Sequence, residues 1–195
     1  LARNPAWWEI WLSRGVLHAN WARMTSHRGQ DPAERFRAAI EDYGQAIRLA
    51  PENDETWMRR ANARLNWAVH VQNRGEDPEA IYQEALADLG EALQRNPKRA
   101  ESWERRAIVA QNRGVVLAGR GQDPGESYAA ALADYARALE INPERIDTWT
   151  YRAMAHELWA KWKQRQGQDP RAEFVAAGAD LAEALRRNPD RPETW

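Results

Sequence analysis

Residues 55–97 read ETWMRRANARLNWAVHVQNRGEDPEAIYQEALADLGEALQRNP, and the fold is decided in this stretch. Its first half, Glu55 to Arg74, consists of good helix formers without Gly or Pro, and Trp57, Ala61, Ala68 and Val71 fall on one face of a helix. Gly75 then offers the left-handed C′ position that ends a helix. Asp77 offers an N-cap oxygen, and Pro78 suits a first turn, where no amide donor is needed. A second helix is predicted from Pro78 to about Arg95, with Tyr82, Ala85, Leu89, Ala92 and Leu93 on its apolar face. Asn96-Pro97 stops it, because proline disfavours helical geometry in the residue before it. The unit is a helical hairpin.

The same unit recurs along the chain. Trp11, Trp57, Trp103, Trp149 and Trp195 are 46 residues apart, and Pro5, Pro51, Pro97, Pro143 and Pro189 keep the same step. Gly29, Gly75, Gly121 and Gly167 share a column, as do Asp31, Asp77, Asp123 and Asp169, each followed by proline. Glu34 and Glu126 stand three residues after the cap, as a capping box requires. The repeats run over about 6–51, 52–97, 98–143 and 144–189, with a partial copy at 190–195 and residues 1–5 ending an earlier one. Neither helix buries its apolar face alone, so successive hairpins must stack, and the expectation is one all-α solenoid domain over 1–195. Gly15, Ala61, Ala107 and Ala153 on the first helix, and Ala39, Ala85, Ala131 and Ala177 on the second, permit close helix approach.

Composition narrows the function classes. With 28 Lys plus Arg against 29 Asp plus Glu, the formal charge of −1 provides no net field for polyphosphate, and nucleic acid is not an expected partner. No apolar run approaches the roughly 18 residues of a membrane helix, and the mean hydropathy is −0.84. The chain lacks cysteine, which removes disulfides and thiolate chemistry but leaves the compartment open. His18 and His156 share a register, His27 and His70 do not, and no pair has metal-ligand spacing. Ser13, Ser26, Ser102 and Ser127 lack a nucleophile elbow, and the Gly-Gln-Asp-Pro turns read as helix punctuation, not a phosphate loop. Neither an enzyme, a cofactor nor a metal is expected.

Two charged columns match one another: Arg14, Arg60, Arg106 and Arg152 on the first helix, and Asp42, Asp88, Asp134 and Asp180 on the second. They read as structural ion pairs, since a partly buried Arg needs a carboxylate and bidentate geometry suits it. Helix heights favour Asp88 with Arg106 of the next copy over Asp88 with Arg60. A second aromatic column, Trp21, Trp67 and Trp159, is expected to fill the core, while Trp7, Trp8 and Trp162 have no column partners and are expected to be exposed.

Trp57, Ala61, Ala85, Leu89, Ala92 and Pro97 fall in the order of the tetratricopeptide pattern, and EALADLGEALQRNP, Glu84 to Pro97, resembles its second helix. The resemblance covers the whole chain, with copies about 12 residues longer than the usual 34. The Arg column departs from the pattern, which prefers an apolar residue there. The resemblance implies a right-handed superhelix whose first helices line a concave groove. It places Leu12, Val16, Ala19 and Asn20 there in copy one and Met58, Asn62, Leu65 and Asn66 in copy two. Copy three gives Glu104, Ile108, Gln111 and Asn112, and copy four Thr150, Met154, Glu157 and Leu158. Asn20, Asn66 and Asn112 form an amide column suited to the main chain of an extended peptide. The cationic clamp by which some family members grip a terminal carboxylate is not matched. Asn62 and Arg105 fit in part, but Met58 replaces a cation, and Asp147 with Tyr151 stands where two cations belong.

Two functions are expected from these readings. The first is a scaffold or adaptor that binds a peptide or protein segment in the groove. The alternative is a tandem-repeat array whose ends, without an evident polar cap, stack head to tail on further copies into a filament.

Overall fold

A computed structural model describes residues 7–187, all of whose regular elements are helices. These are α1 (Trp7–His27), α2 (Ala33–Leu49), α3 (Asp54–Asn73), α4 (Glu79–Arg95), α5 (Ala100–Gly119), α6 (Gly125–Ile141), α7 (Ile146–Arg165) and α8 (Arg171–Arg187). They form antiparallel pairs, one per copy, and the bounds of α3 and α4 lie within one residue of those predicted. The packing divides the chain into two units, Leu1–Pro97 and Lys98–Trp195, each holding two hairpins. In the first unit α1 packs on α2, α2 on α3 and α3 on α4, and α1 also meets α3; α5 to α8 repeat this order in the second. Trp195, Pro5, Pro189 and the partial copies at either end lie outside the described residues.

The turn within each hairpin is built as its residues dictate. Gly29, Gly75, Gly121 and Gly167 have φ of 72°, 76°, 73° and 70°. Around Gly75, its own amide donates to the Gln72 carbonyl at 2.9 Å and the Glu76 amide to the Val71 carbonyl at 3.1 Å, closing α3 as a Schellman motif. Asp77 Oδ1 accepts from the Glu79 amide at 2.9 Å, and Asp31, Asp123 and Asp169 accept in the same way from Ala33, Gly125 and Arg171. The aspartate therefore caps across the proline, and the helix starts one residue later than predicted. Gly75→Ala should cost about 1 kcal/mol in urea denaturation, because a Cβ penalises the left-handed region. Gly90→Ala should go the other way by up to about 1 kcal/mol, since Gly90 lies inside α4 and a Cβ there meets nothing within 4 Å.

The second helices bury the face read from sequence: Tyr82, Ala85, Leu89 and Ala92 are all 0% exposed. The first helices do not behave so simply. Ala61 and Ala68 are buried, but so are Thr56, Met58, Ala63 and Leu65 on other sides, because α3 touches α1, α2 and α4. Small residues set the spacing. Gly15 faces the Tyr43 ring so closely that a Cβ would stand 2.7 Å from its Cε1.

Candidate functional site

The residues that define the repeat form one recurring stack of ring, guanidinium and carboxylate. The guanidiniums of Arg14, Arg60, Arg106 and Arg152 lie 4.4, 4.9, 4.7 and 4.8 Å from the ring centres of Trp11, Trp57, Trp103 and Trp149. Each Arg then grips the aspartate 28 residues later in its own copy. Arg60 Nε and Nη2 donate to Asp88 at 2.9 and 2.6 Å, and Arg106 donates twice to Asp134 at 2.7 Å. Arg14 holds Asp42 at 2.9 and 2.5 Å, and Arg152 holds Asp180 in the same bidentate manner. The register that paired Asp88 with Arg106 is thus corrected, because the stack closes within a hairpin. The indole N–H groups of Trp57 and Trp149 donate to the Pro51 and Pro143 carbonyls at 2.9 Å, and Arg95 and Arg187 add a second guanidinium to each ring. These tryptophans are half-buried lids over the preceding loop. The second Trp column does not fill the core either: Trp21 is 47% exposed, and Trp67 and Trp159 are half-buried beneath the cations of Arg37 and Lys163. Of the unmatched tryptophans, Trp7 is exposed and Trp8 and Trp162 are half-buried.

Two further polar clusters tie neighbouring helices. Glu104 on α5, 3% exposed, accepts from Arg145 Nε and Nη2 at 3.1 and 2.8 Å and from the Thr148 hydroxyl at the start of α7. On α8 the Glu173 carboxylate is buried and meets His156 Nδ1 at 2.6 Å and Lys163 Nζ at 2.7 Å, both from α7. Burial alone would raise the Glu173 pKa, but the hydrogen bonds from Lys163 and His156 outweigh it and hold the group below its ordinary 4.5. A depressed carboxylate contributes stability above its unfolded pKa and loses it as the pH falls through the folded value. Acidification through pH 4.5 and below should therefore lower the urea midpoint of the wild type more steeply than that of Glu173→Gln.

The first helices also carry a stripe of side chains that stay half-buried or exposed. On α3 it runs through Glu55, Arg59, Asn62, Asn66, Val69 and Asn73, spaced three or four residues apart and all half-buried or exposed. Asn66 is exposed, and on α1 Asn20 is exposed and accepts from Arg23 Nη2 at 3.1 Å. On α5 the stripe includes Arg105, Ile108, Asn112 and Val115, all half-buried, and on α7 Tyr151, Met154, Leu158 and Lys161, with Met154 45% exposed. Met58 and Glu104, expected to line a groove, are instead 4% and 3% exposed. Their position, one residue after the Trp, turns inward against neighbouring helices. Position two after the Trp, occupied by Arg59, Arg105 and Tyr151, takes its place on the stripe. The Glu55–Arg59 and Glu101–Arg105 spacing of four was the available sign of a solvated face there. Among the described residues no helix is long and apolar enough to cross a membrane, and no group of three His, Asp or Glu side chains is arranged to hold a metal ion.

No family model matches the sequence, and no curated protein matches it. Solved structures do match in fold. A crystal structure of MamA is 15% identical, over 91% of this chain and 80% of that one, with a TM-score of 0.57. MamA 41-end from Desulfovibrio magneticus RS-1 is 12% identical, over 92% and 98%, with a TM-score of 0.53. The first TPR of Spaghetti (RPAP3), bound to the HSP90 peptide SRMEEVD, is 15% identical, over 76% and 95%, with a TM-score of 0.51. With its antiparallel helix pairs, its Trp–small–Ala–Leu–Ala–Pro order and these structural likenesses, the chain has the tetratricopeptide-repeat fold, in a version with lengthened hairpins.

Proposed function

We propose that the chain is a protein-interaction module that binds a peptide or protein segment against the open stripe of its first helices. The observation that carries this reading is on the second unit. Met154 is 45% exposed on α7, flanked by half-buried Tyr151 and Leu158, while α5, in contact with α7, presents Ile108 and Val115 beside Asn112. Apolar side chains left open next to amide and charged groups suit a segment that offers both side chains and main chain. On the first unit Asn20, Asn62 and Asn66 give a more polar surface of the same kind. A solved structure of this fold holds a peptide, which supports the reading by analogy of fold alone.

The test is selection from a random displayed peptide library, followed by titration of the selected peptides against variants. Met154→Asp should weaken binding by about tenfold or more, as loss of a central contact does. It should leave the melting temperature nearly unchanged, because the side chain is largely exposed. Failure to select any peptide, or peptides indifferent to both Met154→Asp and Asn112→Asp, would contradict the proposal.

A further inference from the structure

The seats of the stripe are filled differently in the two units. Where α3 has Asn62 and Asn66, the second unit has Ile108 and Asn112 on α5, and Met154 and Leu158 on α7. Val115 and Tyr151 lengthen these apolar rows. Ile108 and Val115 on α5, and Tyr151 and Leu158 on α7, each stand seven residues apart, which is about 10 Å along the axis. α6 runs antiparallel to both neighbours, so α5 and α7 point the same way and their rows lie side by side. The rows stay accessible where the repeat continues: α5 has α7 beside it, and Ile108, Asn112 and Val115 remain half-buried. One seat is held in place from behind. Tyr151 stacks on Tyr135 of α6 with ring centres 6.5 Å apart, and Tyr135 is buried with its hydroxyl donating to Gln111 Oε1 at 2.9 Å.

Charge changes sign along the rows. The N-terminal end carries Glu101 and Asp147 against one guanidinium, Arg105, which lies 3.5 Å from Glu101. The C-terminal end carries Lys161 and Arg165, both exposed, against one carboxylate, Glu157, at 2.5 Å from Lys161. We infer that the segment bound by the second unit is an amphipathic α-helix lying antiparallel to α5 and α7. The inference rests on the peptide-binding reading and deepens it by naming the kind of segment. Over about 10 Å a helix sets three apolar side chains on one face, at i, i+3 or i+4, and i+7, which matches rows that are themselves two turns long. An extended strand covers that length in about three residues and turns only alternate side chains inward. The dipole of a helix favours acidic residues in its first turn and basic residues in its last. Laid antiparallel, such a helix brings its carboxylates to Lys161 and Arg165 and its cations to Glu101 and Asp147; laid parallel, it would set like charges together. In the first unit the amides of Asn62 and Asn66 interrupt the apolar row, so the helix seat belongs to the second.

Two displayed libraries of equal size, presented to the full chain, test the inference: one of unconstrained peptides, the other randomised along one helix of a stable scaffold. Binders should come from the helical library, with apolar residues three or four apart, Asp or Glu in the first turn and Lys or Arg in the last. Made as a synthetic peptide, a selected helix should bind about tenfold or more weakly once a central residue is replaced by proline. It should lose a similar factor, about tenfold, against Met154→Asp, and nothing against Asn62→Asp in the first unit. Lys161→Glu combined with Arg165→Glu should weaken binding at low salt, and exchanging the charged ends of the peptide should restore it. Both of those side chains are exposed, so melting of the variant should match the wild type. Binders that arise only from the unconstrained library and tolerate the proline overturn the helix while leaving peptide binding standing. No binders from either library overturns both. Helices with the charges in the opposite order, or indifferent to the Lys161 and Arg165 substitutions, overturn the orientation.

Discussion

Asp88→Ala should lower the unfolding free energy by about 3 to 5 kcal/mol, the cost of breaking a buried ion pair from one side. The Asp88 carboxylate is 3% exposed and receives Arg60 twice and Arg64 once, and those guanidiniums are themselves only 17% and 13% exposed. Removing the carboxylate strands two cations between α3 and α4, and the Glu84 carboxylate that remains 3.0 Å from Arg64 is 59% exposed. Urea denaturation measures the loss. The same substitution in the first copy should cost distinctly less, because Arg14, the partner of Asp42, is 53% exposed and can turn to water. Replacing both Arg60 and Asp88 by leucine should recover much of the deficit, since an apolar pair demands no partner. Equal losses for Asp42→Ala and Asp88→Ala would mean that burial does not set the strength of these pairs.

Tyr128→Ala should be comparably damaging, at about 3 to 5 kcal/mol, the range for deleting a buried aromatic side chain. Tyr128 is 1% exposed and joins three helices: it sits on α6, presses on Gly114 of α5 and faces Trp159 of α7 at 6.4 Å. A Cβ at position 114 would come within 2.9 Å of the ring, so the neighbouring backbone closes tightly around it and a cavity would remain after truncation. Phe174→Ala, in the same column of the repeat but 42% exposed, should cost much less in dilute solution. Thermal or urea unfolding of the two variants side by side gives the comparison, and a Phe174 loss as large as that of Tyr128 would deny the difference in their surroundings.

Much of this was legible in residues 55–97. The second-helix face was readable because its buried residues fall on one stripe, so Tyr82, Ala85, Leu89 and Ala92 keep a clean helical period. Gly75 and its equivalents were readable because a left-handed turn admits few other residues. The first helix was harder, since contacts with three neighbours bury Thr56, Met58, Ala63 and Leu65 around its circumference and blur the period. For that reason Met58 and Glu104 were expected on an open face that they do not occupy. The pairing of Asp88 with Arg60 also escaped, because axial heights alone leave two arginines within reach of one carboxylate, and a Trp ring stacked on Arg60 decides between them. The apolar faces of α1 and α8 are visible in the sequence at Ile10, Leu17, Phe174 and Leu185. Which side chains stand out on them depends on burial that periodicity does not report.

The central claim is that each 46-residue copy is one hairpin closed on itself by its own arginine and aspartate. Double-mutant cycles test it most directly. Arg60 with Asp88, and Arg152 with Asp180, should show coupling of about 1 kcal/mol or more, while the neighbouring combinations Asp42 with Arg60 and Asp134 with Arg152 should be close to additive. Strong coupling in the neighbouring combinations, or none within the hairpins, would contradict the account.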